Sequence, residues 1–194
     1  MIAFIEGKLV FKSPTHVHLL AGGVAYHINI SLHTFSQLPE IEFCRLHTHL
    51  IVKEDSHTLF GFAEEGEKRL FGHLISVSGI GPNTARIMLS SITPTEIQHA
   101  IINGDVPNIQ RIKGIGPKSA QRLILELQDK LKKEGSNSLI SMPRNNTVKE
   151  EALSAMIMLG FSKSVADKVL ADVTRVHGDA LSVEQLIKIS LKSL

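Results

Sequence analysis

The sequence has little of what builds a disulfide scaffold, a membrane protein or an aromatic-rich core. Its 194 residues include one cysteine, one tyrosine and no tryptophan. A lone cysteine, Cys44, excludes an internal disulfide and a zinc site built on cysteines. No apolar run approaches the roughly 20 residues that span a bilayer, and Glu6 interrupts the apolar start, so we expect no signal peptide. We therefore expect a cytoplasmic protein without a membrane partner.

Charge is nearly balanced, with 21 Lys and Arg against 19 Asp and Glu, a net charge of +2. The chain thus lacks the strong overall field of a highly basic nucleic-acid binder, and any anion site must come from local placement of donors. Hydrophobic residues make up 43% of the sequence, enough to build a core.

The first part of the chain, residues 1–63, alternates polar and apolar residues as strands do. A Gly22-Gly23 pair between two such segments is typical of a hairpin turn. We predict a small OB-like β-barrel with a short helical insertion at 32–38 and strands that include 16–20, 24–30, 45–52 and 57–62.

At Glu64 the apolar spacing changes from two to 3.6 residues, which predicts an all-α central domain over 64–134. A capping box at Thr93–Glu96 begins one of its helices, and a long helix is expected to end near Lys133. Residues 135–146 are rich in Ser, Asn, Gly and Pro and predict a flexible linker.

Residues 147–194 predict a third domain of three short helices, at about 148–159, 162–174 and 182–192. Two further capping boxes, at Thr147 and Ser182, mark the first and last of these helices. The fold class is therefore a multi-domain α+β protein with a barrel, a central helical domain and a C-terminal three-helix domain.

A nine-residue repeat stands out in the central domain. Residues 77–85 read VSGIGPNTA and residues 112–120 read IKGIGPKSA, 35 positions later. Repetition at this spacing indicates a duplicated helix–turn–helix unit. It is not a dinucleotide fingerprint, because Thr84 and Ser119 stand where that motif needs its third glycine, and the spacing does not fit a P-loop.

Each repeat has the chemistry of an anion site. A proline at the first helical position, Pro82 or Pro117, leaves the N–H groups of the first turn without helical acceptors, at the positive end of the helix dipole. Glycines can take positive φ and let a ligand approach the backbone. Ile80 and Ile115 are expected to point inward and anchor the turns. The predicted phosphate-contacting residues are Gly79, Ile80, Gly81, Asn83, Thr84, Arg86, Lys113, Gly114, Ile115, Gly116, Lys118, Ser119 and Arg122.

These matched glycine turns resemble the helix-hairpin-helix family of DNA binders, and the whole chain closely resembles the RuvA family of bacterial Holliday-junction branch-migration proteins. The resemblance rests on Gly22-Gly23-Val24, on THLIVKEDSHTLFGF at 48–62, on the two G-I-G units and on Leu159-Gly160-Phe161. It covers essentially all of the chain except the linker.

The resemblance implies an OB-like barrel, a tandem helix-hairpin-helix domain and a mobile three-helix domain similar to ubiquitin-associated folds. It implies a non-catalytic scaffold, without a cofactor, that binds four-way junction DNA as a homotetramer or as an octamer of two tetramers. The partners implied are the hexameric ATPase motor RuvB and the resolvase RuvC.

Individual residues take roles from the same resemblance. Glu54 and Asp55 match an acidic pin that repels phosphates at the junction centre. The candidates for contact with the motor are Met156, Met158, Leu159, Gly160 and Phe161. Since Asn83 and Pro117 stand where the family often has a basic residue, Arg86, Lys113 and Arg122 are expected to share the phosphate contacts.

Alternative interpretations remain at this point. A helix-hairpin-helix glycosylase would need a base pocket and a catalytic residue such as Asp129, and an OB-type single-strand binder would need only the barrel. The barrel histidines include two pairs that share a strand face, His16 with His18 and His47 with His49. We interpret them as polar strand faces and expect no metal site.

Overall fold

Five segments of alternating polarity in the first part of the chain form a closed barrel in the computed structural model, which describes residues 2–40, 42–138, 148–177 and 181–193. The strands are β1 (Phe4–Lys12), β2 (His16–Ala21), β3 (Val24–Ile30), β4 (Phe43–Val52) and β5 (His57–Phe62). They follow the order β1-β2-β3-β5-β4, and only β3 and β5 pair in parallel among these neighbours. The predicted OB-like barrel is confirmed.

The β2–β3 hairpin shows why these residues pair. Gly22 and Gly23 have φ angles of 57° and 83°, the left-handed pair that a two-residue hairpin turn requires. The residues that point inward from the two strands, Val17, Leu19 and Ile28, are almost completely buried. Alternation therefore fixes the register of the hairpin as well as its existence.

Two glycines let the strands of this narrow barrel approach closely. A Cβ at Gly7 would lie 2.2 Å from the carbonyl oxygen of Leu20, and a Cβ at Gly61 would lie 2.5 Å from Cγ2 of Ile28. No side chain fits at these distances, so both positions require glycine.

A short helix, α1 (Leu32–Gln37), connects β3 to β4, as the sequence predicts. Its N-cap, Ser31, accepts a hydrogen bond from Thr34 N–H over 3.0 Å. The side-chain hydroxyls of Ser31 and Thr34 both donate to the carboxylate of Glu67, which is 1% exposed and belongs to the next helix. This buried network ties the barrel to the helical region.

The helical region contains α2 (Glu65–Ser76), α3 (Pro82–Ser91), α4 (Pro94–Asn103), α5 (Val106–Gln110) and α6 (Pro117–Ser138). Its core is continuous with one end of the barrel, because Phe60 and Phe62 pack against Phe71 of α2 with ring centroids 5.1 and 4.9 Å apart. The capping box of Thr93 and Glu96 forms as predicted.

Helix α6 is longer than the sequence indicates. The expected end near Lys133 is wrong, since the helix continues to Ser138 and includes the first residues of the predicted linker. Gly135 does not stop it, because glycine weakens a helix without removing a hydrogen bond, and the next proline is Pro143. The rest of the predicted linker lies outside the described residues.

The compact unit that contains the barrel and the hairpins runs to Ser136, and a second unit begins at Asn137. The second contains α7 (Val148–Met158), α8 (Lys163–His177) and α9 (Val183–Lys192), which confirms three helices. The capping box of Ser182 and Gln185 is present, whereas the one predicted at Thr147 lies outside the described residues. In the part of the chain that the structure describes, no helix is long and apolar enough to cross a membrane.

Candidate nucleic-acid interface

The two G-I-G turns have the same backbone hydrogen bonds. In the first, Ile80 N–H donates to the carbonyl of Val77 over 3.0 Å, and in the second Ile115 N–H donates to Ile112 over 3.1 Å. The residue that begins each turn is hydrogen-bonded in the same way. Val77 N–H donates to the carbonyl of Leu74 and Ile112 N–H donates to the carbonyl of Ile109, both over 3.2 Å. The repeat seen in the sequence is therefore a repeat of local structure.

The two glycines of each turn differ in backbone conformation. Gly79 and Gly114 both have φ of +92°, a conformation that side chains rarely adopt. Gly81 has φ of −83°, and Gly116 is not among the glycines with positive φ, so the expectation of left-handed backbone is confirmed at only two of the four positions.

The first turn of each following helix presents free backbone donors. Helix α3 begins at Pro82, and its first hydrogen bond runs from Ala85 N–H to the carbonyl of Gly81 over 2.9 Å. The N–H groups of Asn83 and Thr84 precede that bond and have no helical acceptor. The second copy repeats this, with Ala120 N–H bonded to Gly116 over 3.0 Å and the N–H groups of Lys118 and Ser119 ahead of it.

Both turns face open space. A Cβ built on any of the four glycines, 79, 81, 114 or 116, would have no heavy atom within 4 Å, and all four residues are exposed. Lys113 and Lys118 are exposed beside the second turn. Free donors, a helix N-terminus and adjacent cations together make a surface that favours anions.

The two isoleucines do not contribute donors to this surface. Ile80 and Ile115 are 4% and 6% exposed, and their N–H groups are used to close the turns. Their inclusion among the phosphate-contacting residues is therefore wrong, and the expectation that they anchor the turns from inside is confirmed.

Arg86 already has hydrogen-bond partners within the chain. Its Nη1 donates to the main-chain oxygen of Thr15 over 3.0 Å and to the side-chain oxygen of Asn29 over 3.2 Å, so it joins α3 to the barrel. Partial burial lowers the pKa of the guanidinium from its usual value. Arg86 thus makes structural contacts with the barrel, and a phosphate contact by this residue stays a prediction.

Arg122 remains on the surface of α6, one helical turn from Lys118. Its Nε lies 3.4 Å from Glu126 Oε1, and both side chains are largely exposed. Exposed pairs of this kind contribute about 0–1 kcal/mol, so a stronger anion can compete for the guanidinium.

The predicted acidic pin is the turn between β4 and β5. The strands pair as far as Val52 and His57, and Lys53 N–H donates to the carbonyl of Ser56 over 2.9 Å to close the loop. Glu54 and Asp55 lie at its tip with both side chains exposed. The loop therefore presents two carboxylates to solvent.

Comparison with known proteins shows the same three-part order. Family models described as RuvA N terminal domain, SAM-like helix-hairpin-helix tandem and RuvA, C-terminal domain match residues 1–61, 71–129 and 147–194. A Flavobacterium psychrophilum protein named Holliday junction branch migration complex subunit RuvA is 55% identical over 194 residues, with 100% of each chain covered. Proteins of the same name from Cytophaga hutchinsonii and Bacteroides thetaiotaomicron are 51% and 38% identical, with 99% and 100% of each chain covered.

The chain belongs to the RuvA family. Its RuvA-type barrel, tandem hairpins and C-terminal helices are the parts that the sequence predicts, in the same order.

In the C-terminal unit of this RuvA-family chain, the candidates for motor contact divide into exposed and buried residues. Met158 and Leu159 are 87% and 58% exposed, and Gly160 forms the turn with φ of +100°. Phe161 packs partly against the core. Met156 is fully buried in that core, so its assignment as a contact residue is wrong.

The barrel histidines are not uniform polar faces. His47 Nδ1 lies 2.7 Å from Glu65 Oε2, and His49 packs edge-on against Phe71 with centroids 5.4 Å apart. His16 and His18 form a third group with His27 of the neighbouring strand. Burial, followed by the proximity of His16 and His18, lowers the pKa of His27. Pairing within one strand misses this third member, because only the β2–β3 register reveals it.

Proposed function

We propose that this chain is the non-catalytic DNA-binding subunit of a branch-migration complex, which binds four-way junctions without sequence preference. Full-length relatives carry the name Holliday junction branch migration complex subunit RuvA. The observation that carries the proposal is the pair of equivalent turns whose free N–H groups face open space. Backbone donors recognise phosphate rather than bases, so such contacts position duplex DNA without reading its sequence.

The glycines at 81 and 116 give this proposal its sharpest support. Neither has positive φ, and a Cβ at either would meet no atom of the chain. The fold alone therefore accepts alanine at both positions. Glycine there leaves room for close approach of a ligand to the backbone, as a phosphate bound at a helix N-terminus requires.

The pin and the C-terminal unit extend the proposal to the rest of the chain. Glu54 and Asp55 would repel phosphates where strands separate, since like charges disfavour approach at short range. Exposed apolar side chains at Met158 and Leu159 supply a surface for the RuvB ATPase. RuvC would share the junction held by the scaffold.

A homotetramer is part of the same proposal, with an octamer of two tetramers as its larger form. Large apolar side chains that a monomer leaves in water support it, namely Phe43, which is 67% exposed, and Leu125, which is 81% exposed. Light scattering of the chain alone and with junction DNA measures the stoichiometry.

The test compares Gly81→Ala and Gly116→Ala with Gly72→Ala as a matched control. Gly72 lies within α2, and a Cβ there also meets nothing within 4 Å. We expect both turn variants to fold and to bind a four-way junction about tenfold more weakly, since losing one hydrogen bond to a charged group costs about 1.5–3 kcal/mol. The control should bind like the wild type. Wild-type affinity in both folded turn variants would refute the phosphate role.

Salt titration separates backbone donors from cations. Lys118→Ala should reduce the slope of log affinity against log salt by about one, because one neutralised phosphate is lost. The glycine variants should lower affinity at an unchanged slope, since N–H groups carry no net charge.

The same gel shifts, run with linear duplex and oligothymidine, address the alternatives. Family membership favours neither of them. Tighter binding to oligothymidine than to the junction would indicate a single-strand binder, and turnover in a base-excision assay on damaged duplex would indicate a glycosylase.

A further inference from the structure

Three histidines meet on the outer face of the barrel. His18 on β2 and His27 on β3 are directly opposite each other in the strand register, and His16 lies two residues before His18 on the same face. One ring nitrogen from each residue lies within 4.8 Å of the others. The neighbouring inward residues, Val17 and Ile28, are buried, so the rigid barrel core fixes the positions from which these rings project.

The distance between two of the ring nitrogens is close to the distance between neighbouring ligand nitrogens on a zinc ion. His18 Nε2 and His27 Nδ1 are 3.2 Å apart. Zinc binds imidazole nitrogen at about 2.0–2.1 Å in tetrahedral geometry, which places adjacent ligand nitrogens roughly 3.3 Å apart. The cross-strand pair thus needs little movement to hold one ion between its rings.

Two hydroxyls lie beside one ring nitrogen of His16, the candidate third ligand. Ser13 Oγ and Thr15 Oγ1 are each 3.1 Å from His16 Nδ1, and the Ser13 hydroxyl also donates to the main-chain oxygen of His16 over 2.8 Å. In the tautomer that donates from Nδ1 to one of these hydroxyls, Nε2 keeps the lone pair that a metal ion needs. A hydroxyl or carbonyl partner on the second nitrogen is the usual outer contact of a metal-binding histidine.

The ligand set selects the kind of ion. Three imidazoles without a carboxylate among the clustered residues suit Zn²⁺, Cu²⁺ or Ni²⁺ and disfavour Mg²⁺ and Ca²⁺, which prefer oxygen. The Phe11 ring packs against those of His16 and His18, with centroids 5.2 and 5.0 Å away, and shields one side of the group. His27 is exposed, so solvent can supply a fourth ligand.

We propose that His16, His18 and His27 form a three-histidine site for Zn²⁺ on the outer face of the barrel, with water as the fourth ligand. The His16 ring stacks on His27 with centroids 4.6 Å apart, so coordination requires the two rings to separate from this stacked arrangement. The site is separate from the hairpin turns, and its test needs no DNA, so its outcome does not depend on the proposed function.

The experiment titrates the untagged full chain with ZnCl₂ by calorimetry, in a buffer that does not chelate zinc. The variants are His18→Gln and His27→Gln, and the matched control is His57→Gln, an exposed barrel histidine outside the group. We expect one ion per chain in the wild type and the control, and at least a tenfold weaker affinity in each of the two variants.

Two further measurements keep the result specific. Zn²⁺ should raise the melting temperature of the wild type but not that of His27→Gln, because only a ligand bound to the folded state stabilises it. Excess Mg²⁺ should leave zinc binding unchanged. Absence of zinc binding by the wild type, or binding retained equally by all three variants, would overturn the proposal.

Discussion

The buried carboxylate of Glu67 gives a prediction whose sign can be derived from the structure. Glu67 is 1% exposed and accepts hydrogen bonds from the hydroxyls of Ser31 and Thr34, the latter over 2.6 Å. Burial raises the pKa of this carboxyl above its usual value of 4.5, and the two hydroxyl donors oppose that shift without cancelling it.

A raised pKa in the folded state makes the folded protein bind the proton of Glu67 more readily than the unfolded chain does. Stability from this group is therefore present below the unfolded pKa, falls as pH rises toward the raised folded pKa, and stays lost above it. A difference of one pKa unit between the folded and unfolded states changes the free energy of unfolding by about 1.4 kcal/mol.

Glu67→Gln removes the titration while keeping the shape. Protonated glutamic acid and glutamine both place one donor group and one acceptor oxygen against the two hydroxyls, although the amide has a second N–H, so wild type and variant should agree within about 1 kcal/mol at the acidic end. As pH rises, the wild type should lose free energy of unfolding relative to the variant. The variant should therefore be the more stable protein at pH 8.

Urea unfolding between pH 4.5 and pH 8 measures this difference. The fluorescence of Tyr26 reports on the unit concerned, because it is the only tyrosine in a chain without tryptophan and lies on β3. Glu42→Gln, at an exposed position, corrects for loss of a surface negative charge. A gap between wild type and Glu67→Gln that stays constant, or that widens in favour of the wild type with rising pH, would refute the reasoning.

Three further predictions concern other parts of the chain. Arg86→Met should lower the free energy of unfolding by about 1–3 kcal/mol through loss of its contacts with the barrel, and should weaken junction binding less than Lys118→Ala; the opposite order, from denaturation and gel shifts, would restore Arg86 to the interface. Joint replacement of Glu54 by Gln and Asp55 by Asn should leave junction affinity equal or tighter and change strand opening, read by 2-aminopurine fluorescence at the crossover; lost binding would contradict a repulsive pin. Deletion of 148–194 should preserve DNA binding and abolish stimulation of the motor's ATPase, whereas loss of DNA binding would contradict this division of roles.

Local signals account for the parts of the fold that the sequence predicts well. Gly22-Gly23 between two alternating segments predicts the position of a hairpin to within a few residues. Pro82 and Pro117 mark helix starts because the fixed φ and missing N–H of proline suit the first helical position. The order of elements in the barrel and hairpins follows from such signals, read one segment at a time.

Sequence reasoning falls short where a distant segment decides which atoms a side chain contacts. Arg86 has the sequence position of a hairpin cation, yet its partners lie in the barrel, far away along the chain. Met156 is adjacent to Ile157 and Met158 in a helix with apolar residues on several sides, so spacing alone does not show which one enters the core. The His16, His18 and His27 group depends on a strand register that no single segment contains.

Two pairs of glycines differ in what occupies the space beside the missing side chain. At Gly7 and Gly61 the missing methyl group makes room for a neighbouring strand of the same molecule, so an alanine there is rejected during folding. At Gly81 and Gly116 no other part of the chain occupies the space that a Cβ would fill. Alanine replacements would therefore separate the two pairs by phenotype. Replacement of Gly7 or Gly61 should give a poor yield of soluble protein, whereas replacement of Gly81 or Gly116 should give a normal yield and defective recombination.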